Sequence, residues 1–314
     1  MMTACHWRVV GAVRCRERGC GVGVDASWVD KDALAASAED AEPLPHTVAR
    51  LAGLVADPDS DLREIAEVVS LDVSLTADLL RRANSAALGG LATITSVRDA
   101  AVRLGRSNLL SLALASAVGR RMSLALPAYG LQAGELWERS VAASVAAEVV
   151  RTRSVAGVPA EAGTAALLHD FGKVVLARHY GDRILDMVDL AAAHEGLDLL
   201  AAERAIFGLT HAEIGGAVAE VWGLPATIVD GISSHHEVHH WLSPVGAAVS
   251  LACAMSFDIT VMADATELEQ RGQADRLRAQ APLFAILRLH PDSYPDLLAD
   301  ARDRFQEIAD RYHA

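Results

Sequence analysis

The sequence has few aromatic residues, few cysteines and no apolar run long enough to cross a membrane. Phe, Trp and Tyr together make up 4% of the 314 residues, whereas hydrophobic residues make up 52%. The core must therefore be built mainly from Ala, Leu and Val. Because Ala and Leu favour helix strongly, we predict an all-α fold with few or no strands. A chain of this length can form one large domain or two modest ones.

The longest mostly apolar stretch, Val245 to Phe257, is shorter than the roughly 18–20 residues that span a bilayer. It is followed by Asp258, so we interpret it as a core helix and expect no association with a membrane. Four cysteines do not make a disulfide framework in a chain of this length. The N-terminus shows no basic segment followed by an apolar signal core. A cytoplasmic location is therefore expected.

The cysteines near the N-terminus allow a second interpretation. Cys5, Cys15 and Cys20 lie near His6, and Cys with His can bind zinc, but their spacing matches no paired CxxC pattern. The same segment has no periodic apolar face. A disordered leader is the alternative that we favour.

Positive charge is also scarce relative to negative charge. The formal net charge is −13 at pH 7, and an acidic protein repels a phosphate backbone. We therefore expect no nucleic-acid partner. The alternative, a nucleic-acid-binding regulator, depends only on local clusters such as Arg81-Arg82 and Arg120-Arg121.

Apolar periodicity and punctuation divide the chain into four parts. We expect a disordered tail or linker over 1–42, helical subdomains over 43–128 and 129–240, and a helical extension over 241–314. Capping signals begin helices at Asp61 with Glu64, at Ser74 and at Ser96, and Gly105 ends one. Later helices are predicted over 136–151, 161–168, 173–179, 182–193, 197–207, 211–222, 226–234, 244–257 and 293–312.

Histidines are concentrated in the second helical subdomain. Eight of the twelve lie between His169 and His240. His169-Asp170 ends an apolar helix, His211 begins another, and His235-His236 ends a third. Imidazole and carboxylate are suitable ligands for a divalent transition metal. Helix caps and core hydrogen bonds would explain the same histidines equally well, so the spacing alone leaves both interpretations open.

The segment LLHDFGK (167–173) resembles the signature of the HD superfamily of metal-dependent phosphohydrolases. Further blocks resemble, in order, those of the HDOD family. They are LPHTVARLAGLVADPDSDLREIAEVVSLDVSLTADLLRRANSAALGG, ITSVRDAAVRLGRSNLLSLALA, LWERSV and THAEIGGAVAEVWGLPATIVDGISSHHE. The resemblance covers about 44–237. It implies an N-terminal helical bundle packed against an HD-like helical bundle.

HDOD proteins are generally regarded as bacterial signalling or regulatory modules without demonstrated hydrolase activity. The resemblance therefore implies a non-catalytic regulatory module that acts through a protein partner or through a small molecule bound in the cleft. The alternative is a metal-dependent phosphohydrolase acting on a nucleotide or cyclic dinucleotide. We expect no cofactor under the first hypothesis and a divalent transition metal under the second.

Carried over residue by residue, the resemblance assigns His169 and Asp170 to the metal-binding pair of the superfamily and Lys173 to the basic residue that follows. The upstream histidine ligand falls within LWERSV, where this chain has Arg139. The downstream aspartate aligns with Cys253. A guanidinium has no free lone pair and cannot bind a metal, and a buried structural thiol is the interpretation that we favour for Cys253.

Three further histidines, His211, His235 and His236, resemble additional ligands of two-metal members, so they keep partial metal binding open as the alternative. We expect a degenerate cleft in which Arg139 points inward and pairs with Asp170, replacing the missing cation. The alternative is that Arg139 extends from the polar face of its helix.

Overall fold

The computed structural model describes residues 44–57, 59–84, 93–180, 199–237, 242–260 and 280–312. Within these ranges the elements are helices and turns, and the β structure is confined to one isolated bridge between Leu126 and Leu131. The predicted all-α fold is confirmed. The predicted tail over 1–42, its cysteines and the helix predicted over 182–193 lie outside the described residues.

The first bundle contains five helices among the described residues: α1 (His46–Ala56), α2 (Leu62–Ser70), α3 (Val73–Ala83), α4 (Val97–Leu104) and α5 (Arg106–Met122). Short polar side chains begin several of them by satisfying free amides of the first turn. Ser96 accepts from the Asp99 amide, and Gly105 ends α4 at φ 78°, as predicted. The predicted cap at Ser74 is wrong, because Asp72, two residues earlier, caps α3 by accepting from the Leu75 amide.

A 3-10 turn, Pro127–Tyr129, connects the first bundle to the second. The second bundle contains α6 (Glu135–Arg153), α7 (Ala162–Leu168), α8 (Phe171–Tyr180), α9 (Leu199–Phe207), α10 (His211–Val221), α11 (Ala226–Ser233) and α12 (Pro244–Thr260). After it come α13 (Ala281–Ile286), a 3-10 turn (Pro291–Ser293) and α14 (Tyr294–Tyr312). The predicted helix over 173–179 begins earlier, at Phe171.

Helix α6 is the centre of the second bundle and packs against α7, α12 and α14. Its buried face is made largely of small residues, including Ala142, Ala143, Ala146 and Ala147. Small side chains let neighbouring helix axes approach closely, because the distance between helices depends on the side chains at the contact. The histidine-bearing ends of α7, α10 and α11 are brought together by contacts of α10 with α8 and α11, and of α11 with α7.

The two bundles share one continuous apolar core, in which α5 packs against α7 and α8. The elements assigned to the two predicted subdomains are therefore in direct contact. The predicted boundaries after 128 and 240 remain predictions. None of the helices described here combines the length and apolarity that a membrane span requires.

Candidate functional site

The junction between α7 and α8 carries the first two site residues. His169 ends α7, Asp170 follows, and Lys173 lies in the first turn of α8. All three are buried, with at most 3% of each residue exposed. The Nζ of Lys173 donates to Asp170 Oδ2 at 2.6 Å, so the buried cation and the buried carboxylate compensate each other's charge.

The start of α10 brings His211 against this junction. Thr210 caps α10 in a capping box with Glu213, which fixes the direction of the first turn. Gly172 permits the approach, because a Cβ at that position would lie 1.9 Å from the His211 carbonyl oxygen. As a result, His211 Nε2 lies 3.1 Å from Asp170 Oδ1.

The turn after α11 contributes His235 and His236. His236 Nε2 lies 3.0 Å from His211 Nε2, and His235 Nε2 lies 3.9 Å from Asp170 Oδ1. The ring of His235 also contacts that of His169 edge-on, with centroids 4.9 Å apart. Four histidines from three different helix ends therefore converge on one carboxylate.

Hydrogen bonds to Nδ1 orient three of these rings. His169 Nδ1 lies 2.6 Å from the Ala166 carbonyl, and His235 Nδ1 lies 2.6 Å from the Ile232 carbonyl. A carbonyl oxygen only accepts, so Nδ1 carries the proton in both rings and Nε2 has the lone pair when the ring is neutral. His211 Nδ1 lies 2.8 Å from the Glu203 carboxylate. Such partners are typical of metal-binding imidazoles.

Burial and neighbouring charge shift the pKa values of the cluster in different directions. Burial lowers the pKa of His169 and lowers the pKa values of His235 and His236 well below the usual range, and nearby histidines add to the last two shifts. Burial, the largest single influence, lowers the pKa of His211 as well, but the Glu203 and Asp170 carboxylates together outweigh it and raise the His211 pKa. For Asp170, burial is outweighed by Lys173 and the neighbouring imidazoles, which hold its pKa well below the usual range.

The predicted ion pair between Arg139 and Asp170 is wrong. Among the described residues, the ion-pair partners of Asp170 are Lys173 and the imidazoles of His169, His211 and His235. Lys173 is the local partner because its position, three residues after Asp170, places it on the same side of the first turn of α8. The other part of the hypothesis is correct, because Arg139 does line the cleft. Its guanidinium carbon lies 5.8 Å from the centre of the Phe257 ring.

The site opens into a cavity between α6, α8, α9 and α12. The structure brings together all eight candidate residues. Seven of them line the cavity, and the buried His235 packs against His236, with ring centroids 4.0 Å apart. The lining residues are Arg139, His169, Asp170, Lys173, Leu199, Leu200, His211, His236, Cys253, Ser256 and Phe257.

Two overlapping groups of side chains could each hold a metal ion. In the first, one donor atom from each of Asp170, His211, His235 and His236 lies within 4.8 Å of the others. This donor set of one carboxylate and three imidazoles suits a divalent transition metal. The second group is His169, His235 and Cys253, within the same distance. Arg139 lies in the cleft but cannot contribute a ligand.

A family model described as the HDOD domain matches residues 42–238, which is more than half of the sequence. The chain belongs to the HDOD domain family. The resemblance of the sequence to the HDOD family is thus confirmed. An uncharacterized protein of Treponema pallidum (strain Nichols) is 24% identical to this HDOD chain over 233 residues, covering 74% of this chain and 44% of the relative. This chain therefore spans less than half of that relative's length.

Solved structures share the fold of this HDOD protein. A candidate phosphohydrolase from Shewanella amazonensis SB2B matches with a TM-score of 0.64 and 22% identity, covering 88% of this chain and 98% of that one. An HDOD domain protein of unknown function from Geobacter sulfurreducens matches with a TM-score of 0.58 and 24% identity, covering 87% and 98%. A candidate signal transduction protein from Marinobacter aquaeolei VT8 matches with a TM-score of 0.56 and 22% identity, covering 89% and 67%. The HD-like helical fold is therefore established.

Two residues of the site were missed by sequence reasoning. Glu203 is completely buried on α9, where its carboxylate accepts from the backbone amide and Nδ1 of His211 and from the Tyr129 hydroxyl at 3.0 Å. Tyr129 lies in the turn between the bundles, and burial together with Glu203 raises its pKa well above the usual value. Glu203 therefore connects the cleft to the junction of the bundles.

Proposed function

We propose that this HDOD chain is a non-catalytic signalling module whose HD-like cleft binds a ligand and transmits its presence to a protein partner. The observation that carries the proposal is the position of Arg139. Its side chain lines the same cavity as His169 and Asp170, where the family resemblance places a metal-binding histidine. We propose a cytoplasmic location, because the cysteine pattern is typical of a reducing compartment.

The physical reason is the charge and donor set of this half of the cleft. A hydrolytic metal centre needs an ion held by several ligands with one coordination position open for water. A guanidinium supplies no ligand and repels a cation nearby. Cys253 replaces a hard carboxylate oxygen by sulfur, which Mg²⁺ and Mn²⁺ disfavour. Arg139 and Cys253 therefore both disfavour the binding of a second hard metal ion beside Asp170.

A second candidate, a metal-dependent phosphohydrolase, is favoured by the convergence of Asp170, His211, His235 and His236. These four residues fit one divalent ion, since His235 Nε2 is buried without a hydrogen-bond partner among the described residues. When bound there, the ion would supply Lewis acidity and a water of lowered pKa. Arg139 and Lys173 would then face the negative charge of a phosphate ester.

A hydrolysis screen distinguishes the two candidates. The purified 314-residue chain is loaded separately with Mn²⁺, Fe²⁺ and Zn²⁺ and assayed on bis(p-nitrophenyl) phosphate, nucleoside triphosphates and cyclic dinucleotides. We expect the rate to equal that of the metal-only blank. Hydrolysis above the blank that disappears in His169→Ala and persists in the surface control His179→Ala would establish the phosphohydrolase instead.

A further inference from the structure

We propose that His169, His235 and Cys253 form a binding site for a thiophilic metal ion of the Zn²⁺ class. The proposal rests on the proposed function, because it identifies the ligand of a cleft that does not hydrolyse. The three residues come from three separate elements: the end of α7, the turn after α11, and α12. One donor atom from each lies within 4.8 Å of the others.

The two imidazoles are oriented to present a lone pair. In each ring Nδ1 donates to a backbone carbonyl, of Ala166 for His169 and of Ile232 for His235. The nitrogen left for a ligand is therefore Nε2. His235 has no exposed side-chain area, and its Nε2 has no hydrogen-bond partner among the described residues. A buried polar atom without a partner is costly, and a bound ion would satisfy it.

The donor set determines the class of metal. Two imidazoles and one thiolate suit Zn²⁺ or Cu⁺, whereas Mg²⁺ and Mn²⁺ prefer oxygen ligands. Ligand atoms on a tetrahedral zinc are separated by about 3.3–3.6 Å, given bond lengths of about 2.0–2.3 Å. The three donors lie within 4.8 Å of one another, so a contraction of about 1.5 Å, achieved by side-chain rotation, is the most that binding requires.

The charge of the cleft is compatible with a thiolate. Lys173 and Asp170 form a close ion pair, which leaves little net charge from those two groups. Arg139 lines the same cavity as Cys253, and a positive charge in that cavity favours the thiolate over the thiol. The negative charge of the thiolate in turn offsets the repulsion between Arg139 and a bound cation. Three protein ligands leave the fourth tetrahedral position open to the cavity, so the ion can exchange with solution.

The thiolate site and the carboxylate site exclude each other at His235. Both groups need this residue, and after Nδ1 has donated to Ile232 it has a single lone pair to offer. The two sites therefore predict different effects of mutation. Loss of Cys253 disables the thiolate site alone, and loss of His236 disables the carboxylate site alone.

The test uses the 314-residue chain with Cys5, Cys15 and Cys20 replaced by Ser, so that Cys253 is its single cysteine. After chelator treatment the protein is titrated with Zn²⁺ by calorimetry, and separately with Co²⁺ to detect sulfur-to-cobalt charge-transfer absorption. We expect one ion per chain and a charge-transfer band. In that background Cys253→Ser should abolish the band and weaken Zn²⁺ binding by on the order of 100-fold, since even the loss of a residue that only supports a ligand weakens binding 10–100-fold.

His169→Ala should weaken binding to a similar extent, while His179→Ala, which changes an exposed histidine on α8, should leave the affinity within about threefold of the parent. The proposal is overturned if Zn²⁺ does not bind. It is also overturned if Cys253→Ser binds Zn²⁺ as tightly as the parent while His236→Ala does not. Neither result affects the proposed absence of hydrolysis, whereas hydrolysis by the zinc-loaded protein would contradict the proposed function and leave the site intact.

Discussion

Replacing Gly172 by Ala tests how the site is assembled. The new Cβ would lie 1.9 Å from the His211 carbonyl oxygen and 2.9 Å from the Gly215 amide nitrogen. Both obstacles are backbone atoms, so no side-chain rotation relieves the overlap, and α8 and α10 must separate by about 1 Å or more. Overpacking typically costs about 1–3 kcal/mol, and we expect Gly172→Ala to destabilise the protein by about 3 kcal/mol.

Gly53→Ala is the matched control. Gly53 lies within α1, and a Cβ there would meet nothing within 4 Å. Because Ala favours helix over Gly, this change should stabilise the protein by about 0.5–1 kcal/mol. The two variants are compared by urea denaturation, and the His211 ring resonances report whether its contact with Asp170 is lost. The two variants are expected to shift stability in opposite directions. If Gly172→Ala unfolds at the parent's urea midpoint with unchanged His211 resonances, the close approach of α8 and α10 is wrong.

Three further predictions concern the charges of the site. Lys173→Met should destabilise the protein by about 3–5 kcal/mol, because it leaves the buried Asp170 carboxylate without its cation. Adding Asp170→Asn should recover part of that loss in urea denaturation. A double variant less stable than Lys173→Met would contradict the pairing. Glu203→Gln should lower the His211 pKa in NMR titration and destabilise by about 1–3 kcal/mol, while an unchanged pKa would mean that Glu203 does not support that ring. The urea midpoint of unfolding should fall as the pH drops below about 6.5. Below that pH His235 binds a proton in the unfolded chain but stays neutral in the folded protein, where its pKa is lowered. His235→Gln should reduce this slope by up to about 1.4 kcal/mol per pH unit, and an unaltered slope would count against the buried neutral ring.

The fold could be predicted because its signals are either local, such as helix caps, or shared with the motifs of the HDOD family. Ser96 and Gly105 bound α4 through capping and a left-handed glycine, both of which depend on a few neighbouring residues. The buried face of α6 could not be predicted as well. The apolar periodicity that predicts the helix over 136–151 includes Val141 and Val145, yet both are only half-buried, and alanines such as Ala142 fill the buried positions. Close helix packing selects small residues, which hydrophobicity alone does not reveal.

The residues assigned to the site by the family resemblance lie close together, but the predicted pairing of Arg139 with Asp170 is wrong. The HDOD motifs identified eight residues that converge on one cavity and its wall, yet the partner of Asp170 is Lys173 and not Arg139. The three-residue spacing of Asp170 and Lys173 was a usable local signal. Glu203 offered no such signal, because a glutamate on a short helix is ordinarily exposed. Only its contacts with His211 and Tyr129 show its role.

The most direct test of a non-catalytic cleft is the phosphodiesterase rate of the manganese-loaded protein, measured beside Arg139→His/Cys253→Asp, in which both replaced ligand positions are restored. The account predicts that the wild-type chain stays at the rate of the metal-only blank and binds at most one Mn²⁺, while the double variant binds Mn²⁺ more tightly. Turnover by the wild-type chain that is lost in His169→Ala would contradict it.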